Sequence, residues 1–180
     1  MGLDDADQLP RPAIRPCPTQ YVVPRTAPKG EPVTIRPIRP EDEPLVVRFH
    51  EKLSEDSVYL RFFQALKLSR RVAHERLTRV CFVDFNREMA LVVESKNLET
   101  GEHEIIAMGR LSRVYNKDEA EFSLEVRDAF QRRGLGTRVL PPVIAIGREE
   151  RTPSISAVHT VFDEADRLVY ARLELSDMTK

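Results

Sequence analysis

The sequence predicts an α+β fold in which helices pack on a mixed, mostly antiparallel central sheet. Three observations support this prediction. An alternating β-branched segment comes before amphipathic helical patterns, three period-two segments then follow in succession, and an apolar helical stretch separates them from one more strand. That order places helices against a mixed sheet. With 180 residues, of which 41% are hydrophobic and 32% charged, the chain suits one folded domain.

The strand predictions rest on alternation and on β-branched residues. Val33 and Ile35 point inward in the first segment, and the next three segments are separated by turn residues, as in an antiparallel meander. The predicted strands cover residues 33–38, 89–93, 105–111, 119–126 and 155–158.

Helix starts are marked by proline, by acidic residues or by serine. Pro40 precedes three acidic residues, a pattern typical of the positive end of a helix. Ser54 and Ser69 are predicted to be the N-caps of two further helices. A last helix is expected over residues 163–173.

The N-terminal part differs in composition from the rest. Six of the 13 prolines lie within residues 10–28, and proline fixes φ and has no N–H to donate. We therefore expect residues 1–30 to be a proline-rich arm or linker and residues 31–180 to be the folded domain. Residues 21–23 are expected to dock on that domain as a short edge strand.

Composition also argues against several function classes. Lysine plus arginine number 28 and aspartate plus glutamate 29, so the formal net charge of −1 disfavours a nucleic-acid partner. No apolar run is long enough to span a membrane, and without an export signal we expect a cytoplasmic protein. Cys17 and Cys81 form no CxxC or Cys/His cluster, so no metal site is expected.

The most informative motif is Gln-Arg-Arg-Gly-Leu-Gly-Thr at residues 131–137, between a predicted strand and a predicted helix. Gly134 and Gly136 lack Cβ atoms, so the backbone can approach a ligand closely. A helix N-terminus has unpaired N–H donors that suit a diphosphate, and Arg132 and Arg133 add positive charge. By itself the motif also fits an ordinary strand–helix turn. It matches neither a Rossmann fingerprint nor a P-loop.

This motif resembles the [QR]-x-x-G-x-[GA] acyl-CoA loop of the GNAT superfamily of N-acyltransferases. Further segments resemble, in order, the acetyltransferase domain of bacterial Pat-type protein acetyltransferases, in which that domain often follows an acyl-CoA-synthetase-like region. Those segments are residues 33–43, 57–64, 73–83 and 87–92. The resemblance covers roughly residues 20–175 and implies a GNAT fold, with acetyl-CoA as the co-substrate. The arm resembles the linker to such a synthetase-like region.

The resemblance also implies which residues act. Acetyl-CoA would be held largely by the backbone of Val126, Gln131, Arg132, Arg133, Gly134, Leu135, Gly136 and Thr137. Glu121 would accept the proton of a protein lysine ε-amine, with Glu119 and Glu125 as neighbours or substitutes on the same strand face. A backbone N–H near Val126 would stabilise the oxyanion, and Tyr170 would protonate the leaving thiolate. No metal is needed.

Three departures from the family pattern keep alternatives open. Pro141 and Pro142 fall inside the helix after the loop, which predicts a helix that stops near residues 138–140 and restarts. The ending at residues 163–175 matches the family only in part. The chain ends at Lys180 without the expected closing strands, so the sheet looks truncated and an oligomer could complete it. A non-catalytic acyl-CoA-binding or regulatory remnant, and a small-molecule amine acetyltransferase, are therefore the alternatives.

Several other polar residues fit two readings. Four arginines either shape an acceptor groove or form a solvated charged face. They are Arg36, Arg39, Arg61 and Arg76. His50 and His74 are expected on helix surfaces.

Overall fold

The computed structural model describes residues 17–27, 30–98, 100–114, 117, 119–149, 154–162 and 168–174. Seven strands and five α-helices lie within these ranges. In chain order they are β1 (Val23–Thr26), β2 (Pro32–Pro37), α1 (Glu43–Glu51), α2 (Glu55–Phe62), α3 (Leu68–Arg71), α4 (His74–Cys81), β3 (Glu88–Lys96), β4 (His103–Arg113), β5 (Glu119–Val126), α5 (Leu135–Glu149), β6 (Ser154–Phe162) and β7 (Leu168–Glu174).

The strands form one open sheet whose spatial order is the chain order, β1 to β7. Neighbours from β1 to β5 are antiparallel, β5 and β6 are parallel, and β6 and β7 are antiparallel. The single parallel pair requires a crossover connection, and α5 provides it. The prediction of an α+β fold with a mostly antiparallel sheet is confirmed.

Strand alternation fills both faces of the sheet with apolar side chains. Leu91 and Val93 face one core together with the buried side of α5, and Val92 faces a second core beneath α1 and α4. Burial on both faces explains why the centre of β3 is a continuous run of buried residues rather than a polar–apolar alternation. The sheet therefore separates α5 from the other four helices.

The N-terminal segment contributes to the sheet edge. β1 pairs with β2, and Tyr21 and Ala27 are buried in the core on the α5 side. The Tyr21 hydroxyl donates a hydrogen bond to Glu149 at the end of α5. The predicted edge strand thus forms two residues further along than expected. The boundary between arm and domain at residue 30 stays a prediction.

Two helix predictions are wrong in detail. Ser69 lies inside the short α3 and caps nothing, and α4 begins after Ala73. The helix expected over residues 163–173 is not formed in its described part, because Leu168–Glu174 is strand β7. Leu168-Val169-Tyr170 is a short apolar run, and a short apolar run suits a strand as well as a helix. The exposed edge of β6 supplies the hydrogen-bonding partner that decides between them.

The Ser54 prediction is confirmed. Its hydroxyl accepts a hydrogen bond from the Ser57 N–H at 3.2 Å, at the start of α2. Cys81 is buried and Cys17 is exposed. Within the described ranges, no helix combines the length and apolarity needed to cross a bilayer.

Candidate active site

The loop between β5 and α5 leads directly to an exposed helix N-terminus. Gly134 has a φ of +70° and Arg132 a φ of +56°, so two left-handed residues turn the backbone just before α5 begins at Leu135. Alternating left-handed positions of this kind aim successive N–H groups at one point, where an anion can bind. The N–H groups of the first helical turn are unpaired within the helix and add to that set of donors.

The helix does not break at its prolines. α5 is continuous through Pro141 and Pro142, so the predicted interruption near residues 138–140 is wrong. Each proline removes one backbone donor, which costs about 3 kcal/mol or more in a helix interior. Burial of Val139, Val143 and Ile146 against the sheet offsets that cost.

The strands beside this helix part from one another. β5 and β6 pair at only four positions, from Glu119 with Ser154 to Phe122 with Ala157. Beyond Phe122, β5 runs on to Val126 without a β6 partner. A cleft therefore opens between the two strands at the end of β5 that leads into the loop.

The backbone of β5 has hydrogen-bonding groups available in this cleft. The Arg127 N–H donates to the Ile106 carbonyl of β4 at 3.0 Å. Hydrogen bonds alternate in direction along an antiparallel strand, so the N–H groups of Leu124 and Val126 point away from β4, toward the cleft. The Val126 N–H, which the sequence analysis predicted as an oxyanion donor, thus points into the cleft.

The first turn of α5 lies against the same end of β5. A Cβ added at Gly136 would stand 3.3 Å from Cδ2 of Leu124, so the helix packs as closely as a glycine allows. The turn before α5 and the open end of β5 therefore lie at one place.

Hydrogen bonds also tie this loop to α2. The Asp128 carboxylate accepts from the Ser54 N–H at 2.9 Å and from the Ser57 hydroxyl at 2.8 Å. The Gln131 amide donates to the Ser57 hydroxyl at 2.8 Å and to the Val126 carbonyl at 2.9 Å. Burial would raise the pKa of Asp128, but the hydrogen bonds from Ser54 and Ser57 outweigh it and the pKa is lowered. The start of α2 and the loop thus form one rigid corner.

The predicted cofactor-binding residues fall into two groups. Gln131, Arg132 and Gly134 are exposed at the cleft, whereas the Leu135 side chain is buried in the core and can offer only its backbone. The Arg133 guanidinium stacks over Phe130, with its central carbon 5.5 Å from the ring centroid. Beyond the described part lie the side chains of Thr137 and Tyr170.

A cavity of about 590 Å³ opens on the opposite face of the sheet from α5. It lies among the helices α1 to α4 and the strands β3 to β5, and the side chains of Ser123 and Glu125 form part of its floor. Because Ser123 and Glu125 flank Leu124, the cavity lies on one face of β5, next to the strand edge that borders the cleft. Glu121 shares their strand face but is exposed and does not line the cavity.

Glu125 is the buried carboxylate of this cavity. Its side chain is 12% exposed, and its Oε1 atom has no hydrogen-bond donor among the described residues. Arg61 Nε stands 3.9 Å from that oxygen, at the outer limit of an ion pair. Burial raises the pKa of Glu125, and the arginines nearby, led by Arg61 and Arg76, act in the opposite direction. A carboxylate with a raised pKa takes a proton more readily than an ordinary glutamate.

His50 lines the same cavity and is buried, so the expectation of a surface position is wrong. The helix α1 turns this residue toward α3 and α4. Burial, with the charges of Arg71, Arg76 and Arg61, lowers the pKa of His50 to about 4. The imidazole is therefore neutral at physiological pH. His74, in contrast, is exposed, as expected, and its Nδ1 lies 2.6 Å from Glu43.

We expect acidification to destabilise the protein through His50. In the unfolded chain this residue takes a proton near pH 6.5, whereas in the folded protein it does so only near pH 4. Above pH 6.5 His50 is neutral in both states and the lowered pKa costs no stability. As the pH falls from 6.5 toward 4, the unfolded chain takes up a proton that the folded protein does not, so the free energy of unfolding decreases. The loss is on the order of 3 kcal/mol by proton linkage.

Urea unfolding at pH 7.5 and pH 4.5, compared between wild type and His50→Asn, measures this effect. Glu125 has a raised pKa and acts in the opposite direction, but it is common to both proteins and cancels in the comparison. Equal acid sensitivity of the two proteins would contradict the burial-based explanation.

The four arginines of the sequence analysis separate into different environments. Arg36 is buried and pairs with Asp42 at 2.7 and 2.8 Å, so it holds the fold together and lines no groove. Arg39 is exposed. Arg61 and Arg76 line the cavity, which favours the groove reading for those two.

Sequence reasoning did not single out this cavity. Its walls come from seven elements. Arg61 and Arg76 had been noted together as one reading of an acceptor groove, and Glu125 and His50 for other reasons. A signal was present in the spacing of Ser123 and Glu125, which places both on the strand face opposite Leu124. Within the described ranges, no group of three or more potential metal ligands comes together.

GNAT-fold proteins are a class with an open sheet in which two neighbouring strands separate, and with a helix N-terminus at the resulting cleft. A family model described as "Acetyltransferase (GNAT) domain" matches residues 33–176. The chain accordingly belongs to the GNAT acetyltransferase family. The resemblance stated for the sequence is confirmed.

Solved structures agree with this assignment. The GNAT domain of PAT from S. lividans is 28% identical, with a TM-score of 0.67 over 78% of this chain and 79% of that chain. RimJ from Mycobacterium smegmatis, in complex with CoA-disulfide, is 18% identical with a TM-score of 0.56 over 76% of this chain and 66% of that one. PaiA N-acetyltransferase from Thermoplasma acidophilum, in complex with coenzyme A, is 10% identical with a TM-score of 0.54 over 78% and 96%. The last two show the fold alone.

Proposed function

We propose that this protein transfers the acetyl group of acetyl-CoA directly to an amine, and that the acceptor is the ε-amine of a protein lysine. The observation that carries the proposal is the joint position of the β5–β6 cleft and the first turn of α5. The diphosphate of acetyl-CoA would be held by the backbone of residues 132–137, and its pantetheine arm would extend along the cleft toward Leu124 and Val126. The lysine acceptor follows from the Pat-type resemblance.

The chemistry needs three steps from the protein. A lysine ammonium has a pKa near 10.4, so it must lose a proton before its nitrogen can attack the thioester carbon. The tetrahedral intermediate then carries an oxyanion, which an N–H of β5 at Val126 would stabilise. Collapse of the intermediate forms the amide bond, breaks the carbon–sulfur bond and releases the CoA thiolate, which takes up a proton. Tyr170 is the proton donor that the resemblance assigns; the resemblance places it on a final helix, whereas here it lies on β7.

For the proton acceptor we propose Glu125. Glu121 is the residue that the resemblance assigns, and it lies four positions earlier on the same strand face, where β5 and β6 are still paired. Glu125 lies between the two residues whose N–H groups face the cleft, is buried in the cavity and has a raised pKa. Its position and basicity both suit the removal of a proton from an amine entering through the cavity.

The binding step is tested with two glycine variants. Gly134→Val is expected to raise the Kd for acetyl-CoA at least about tenfold, because a branched side chain blocks the approach of the diphosphate to the backbone. Gly101→Val is the matched control. Gly101 also has a positive φ, +73°, and lies in the distant β3–β4 turn with nothing within 4 Å of an added Cβ.

Both substitutions place a side chain in a left-handed position and cost stability of similar size, roughly 1–2 kcal/mol. Calorimetric titration with acetyl-CoA then isolates the binding effect. An unchanged Kd in Gly134→Val, or an equal loss in Gly101→Val, would contradict the phosphate-binding role of the loop.

A further inference from the structure

The cavity on the sheet face opposite α5 has a strongly cationic wall. Five of its lining residues are arginines, against two glutamates, and His50 is neutral. The arginines are Arg61, Arg70, Arg76, Arg79 and Arg110. Of these, Arg110 has its own partner, since it pairs with Glu88 at 2.7 Å. An excess of positive charge therefore faces a space large enough for a ligand.

Two of these arginines converge on one aromatic ring. The guanidinium carbons of Arg61 and Arg76 lie 5.2 and 5.0 Å from the centroid of Phe62. Stacking on a ring holds each planar guanidinium in place. Both positive charges therefore stay at the cavity wall, and an anionic group in the cavity would be stabilised by them in this partly buried setting.

Unmet hydrogen-bonding capacity points in the same direction. Among the described residues, the buried Nε of Arg76 has no hydrogen-bond acceptor and the buried Oε1 of Glu125 has no donor. Buried polar atoms are nearly always satisfied in folded proteins, so each exception calls for an explanation. The buried Nδ1 of His50, in the same cavity, also has no partner among the described residues. The unmet donor of Arg76 and the unmet acceptor of Glu125 suit a ligand that carries both an anionic and a cationic group.

We propose that this cavity is the acceptor subsite and that it selects a primary amine bearing a carboxylate or phosphate group. The ammonium would approach Glu125, beside the cleft, and the anionic group would be held by Arg61 and Arg76. This inference rests on the proposed acetyl transfer and adds the chemical class of the acceptor. An acidic residue next to a target lysine and the carboxylate of a free amino compound present the same chemistry.

Two matched pairs of acceptors test the selection. Nα-acetyl-lysine is compared with Nα-acetyl-lysinamide, and a capped Asp-Lys-Asp peptide with a capped Asn-Lys-Asn peptide. We expect kcat/KM, measured by thiol release from acetyl-CoA, to be at least about tenfold higher for the anionic member of at least one pair, as one charge-assisted hydrogen bond suffices for that factor. A preference confined to the first pair identifies a small-molecule source, and one confined to the second identifies an acidic peptide.

Two variants link the preference to the arginines. In Arg76→Gln and Arg61→Gln the ratio of kcat/KM within the preferred pair is expected to fall toward one, whereas Arg48→Gln, outside the cavity in an exposed pair with Glu102, leaves the ratio unchanged. A ratio measured on the same enzyme is not altered by a general loss of folded protein. Equal kcat/KM within both pairs would overturn the inference and leave the acetyl-transfer proposal standing.

Direct binding separates the two proposals further. Calorimetric titration of each acceptor into the protein saturated with CoA, which cannot react, measures the anion preference without turnover. If no amine is acetylated, the proposed function fails, and the binding preference still decides whether the cavity selects an anion. Equal Kd values within both pairs would overturn the inference in that case too.

Discussion

Replacing Glu125 with glutamine is expected to lower kcat for acetyl transfer by about 10²- to 10⁴-fold, the range typical of the loss of a positioned proton acceptor. The amide keeps the size of the side chain but takes up no proton from the amine. The Kd for acetyl-CoA should remain near the wild-type value, because Glu125 lies on the cavity side of β5 and the loop before α5 is unchanged. Steady-state kinetics by thiol release and calorimetric titration with acetyl-CoA measure the two quantities.

Glu121→Gln is the matched comparison, since it makes the same chemical change four residues away on the same strand face. If Glu121→Gln loses the rate and Glu125→Gln keeps it, the residue assigned by the family resemblance is the base and our placement is wrong. If neither variant loses rate, neither Glu121 nor Glu125 removes the proton.

The pH profile gives an independent reading of the same residue. A general base works in its unprotonated form, so kcat/KM must fall as the pH drops through its pKa. Because burial raises the pKa of Glu125, this acidic limb is expected above the usual range for glutamate. Glu125→Gln should lose the limb together with the rate, whereas a residue that serves only the structure would leave the shape of the profile unchanged.

Replacing Asp42 with alanine is expected to lower the free energy of unfolding by about 3–5 kcal/mol, the usual cost of removing one partner of a buried ion pair. Asp42 holds the Arg36 guanidinium through two hydrogen bonds, and each side chain is 6% exposed. Its carboxylate also accepts the Arg39 N–H at 2.8 Å, at the turn leading into α1. Glu94 remains as a second partner at 2.6 Å, which favours the lower end of the range.

Glu102→Ala is the control for this variant. Glu102 pairs with Arg48 at 2.9 Å, but both side chains are about half exposed or more, and such pairs contribute less than about 1 kcal/mol. Urea unfolding of the three proteins at pH 7.5 measures the difference. Comparable losses in Asp42→Ala and Glu102→Ala would show that burial does not set the strength of the Arg36 pair.

The parts of the fold that the sequence predicted correctly are those governed by neighbouring residues. The Ser54 cap is decided by a serine hydroxyl and an N–H three residues away. The β3–β5 meander is decided by short apolar, β-branched segments joined by turn residues. Predictions failed where a distant partner decides. Leu168–Glu174 became a strand because β6 lies beside it, and α5 passes through two prolines because its apolar face is packed on the sheet.

The same distinction between local and distant residues applies to the candidate site. The loop at residues 131–137 is contiguous in sequence, so a motif was sufficient to locate it at the start of α5. The cavity is assembled from seven separate elements, and nothing in the chain near Arg61 reveals that Arg76 stacks on the same ring. Likewise, alternation shows that Glu121 and Glu125 share a strand face, but only the packing of the helices leaves one exposed and buries the other.

The amino-acid sequence alone thus determined the family, the order of most elements and the place of the glycine-containing turn before α5, because each of these depends on residues close together in the chain. The tertiary structure decided which glutamate is buried, which arginines line the cavity and where β5 and β6 separate. Burial and charge at a point in space are sums over residues that only folding brings together.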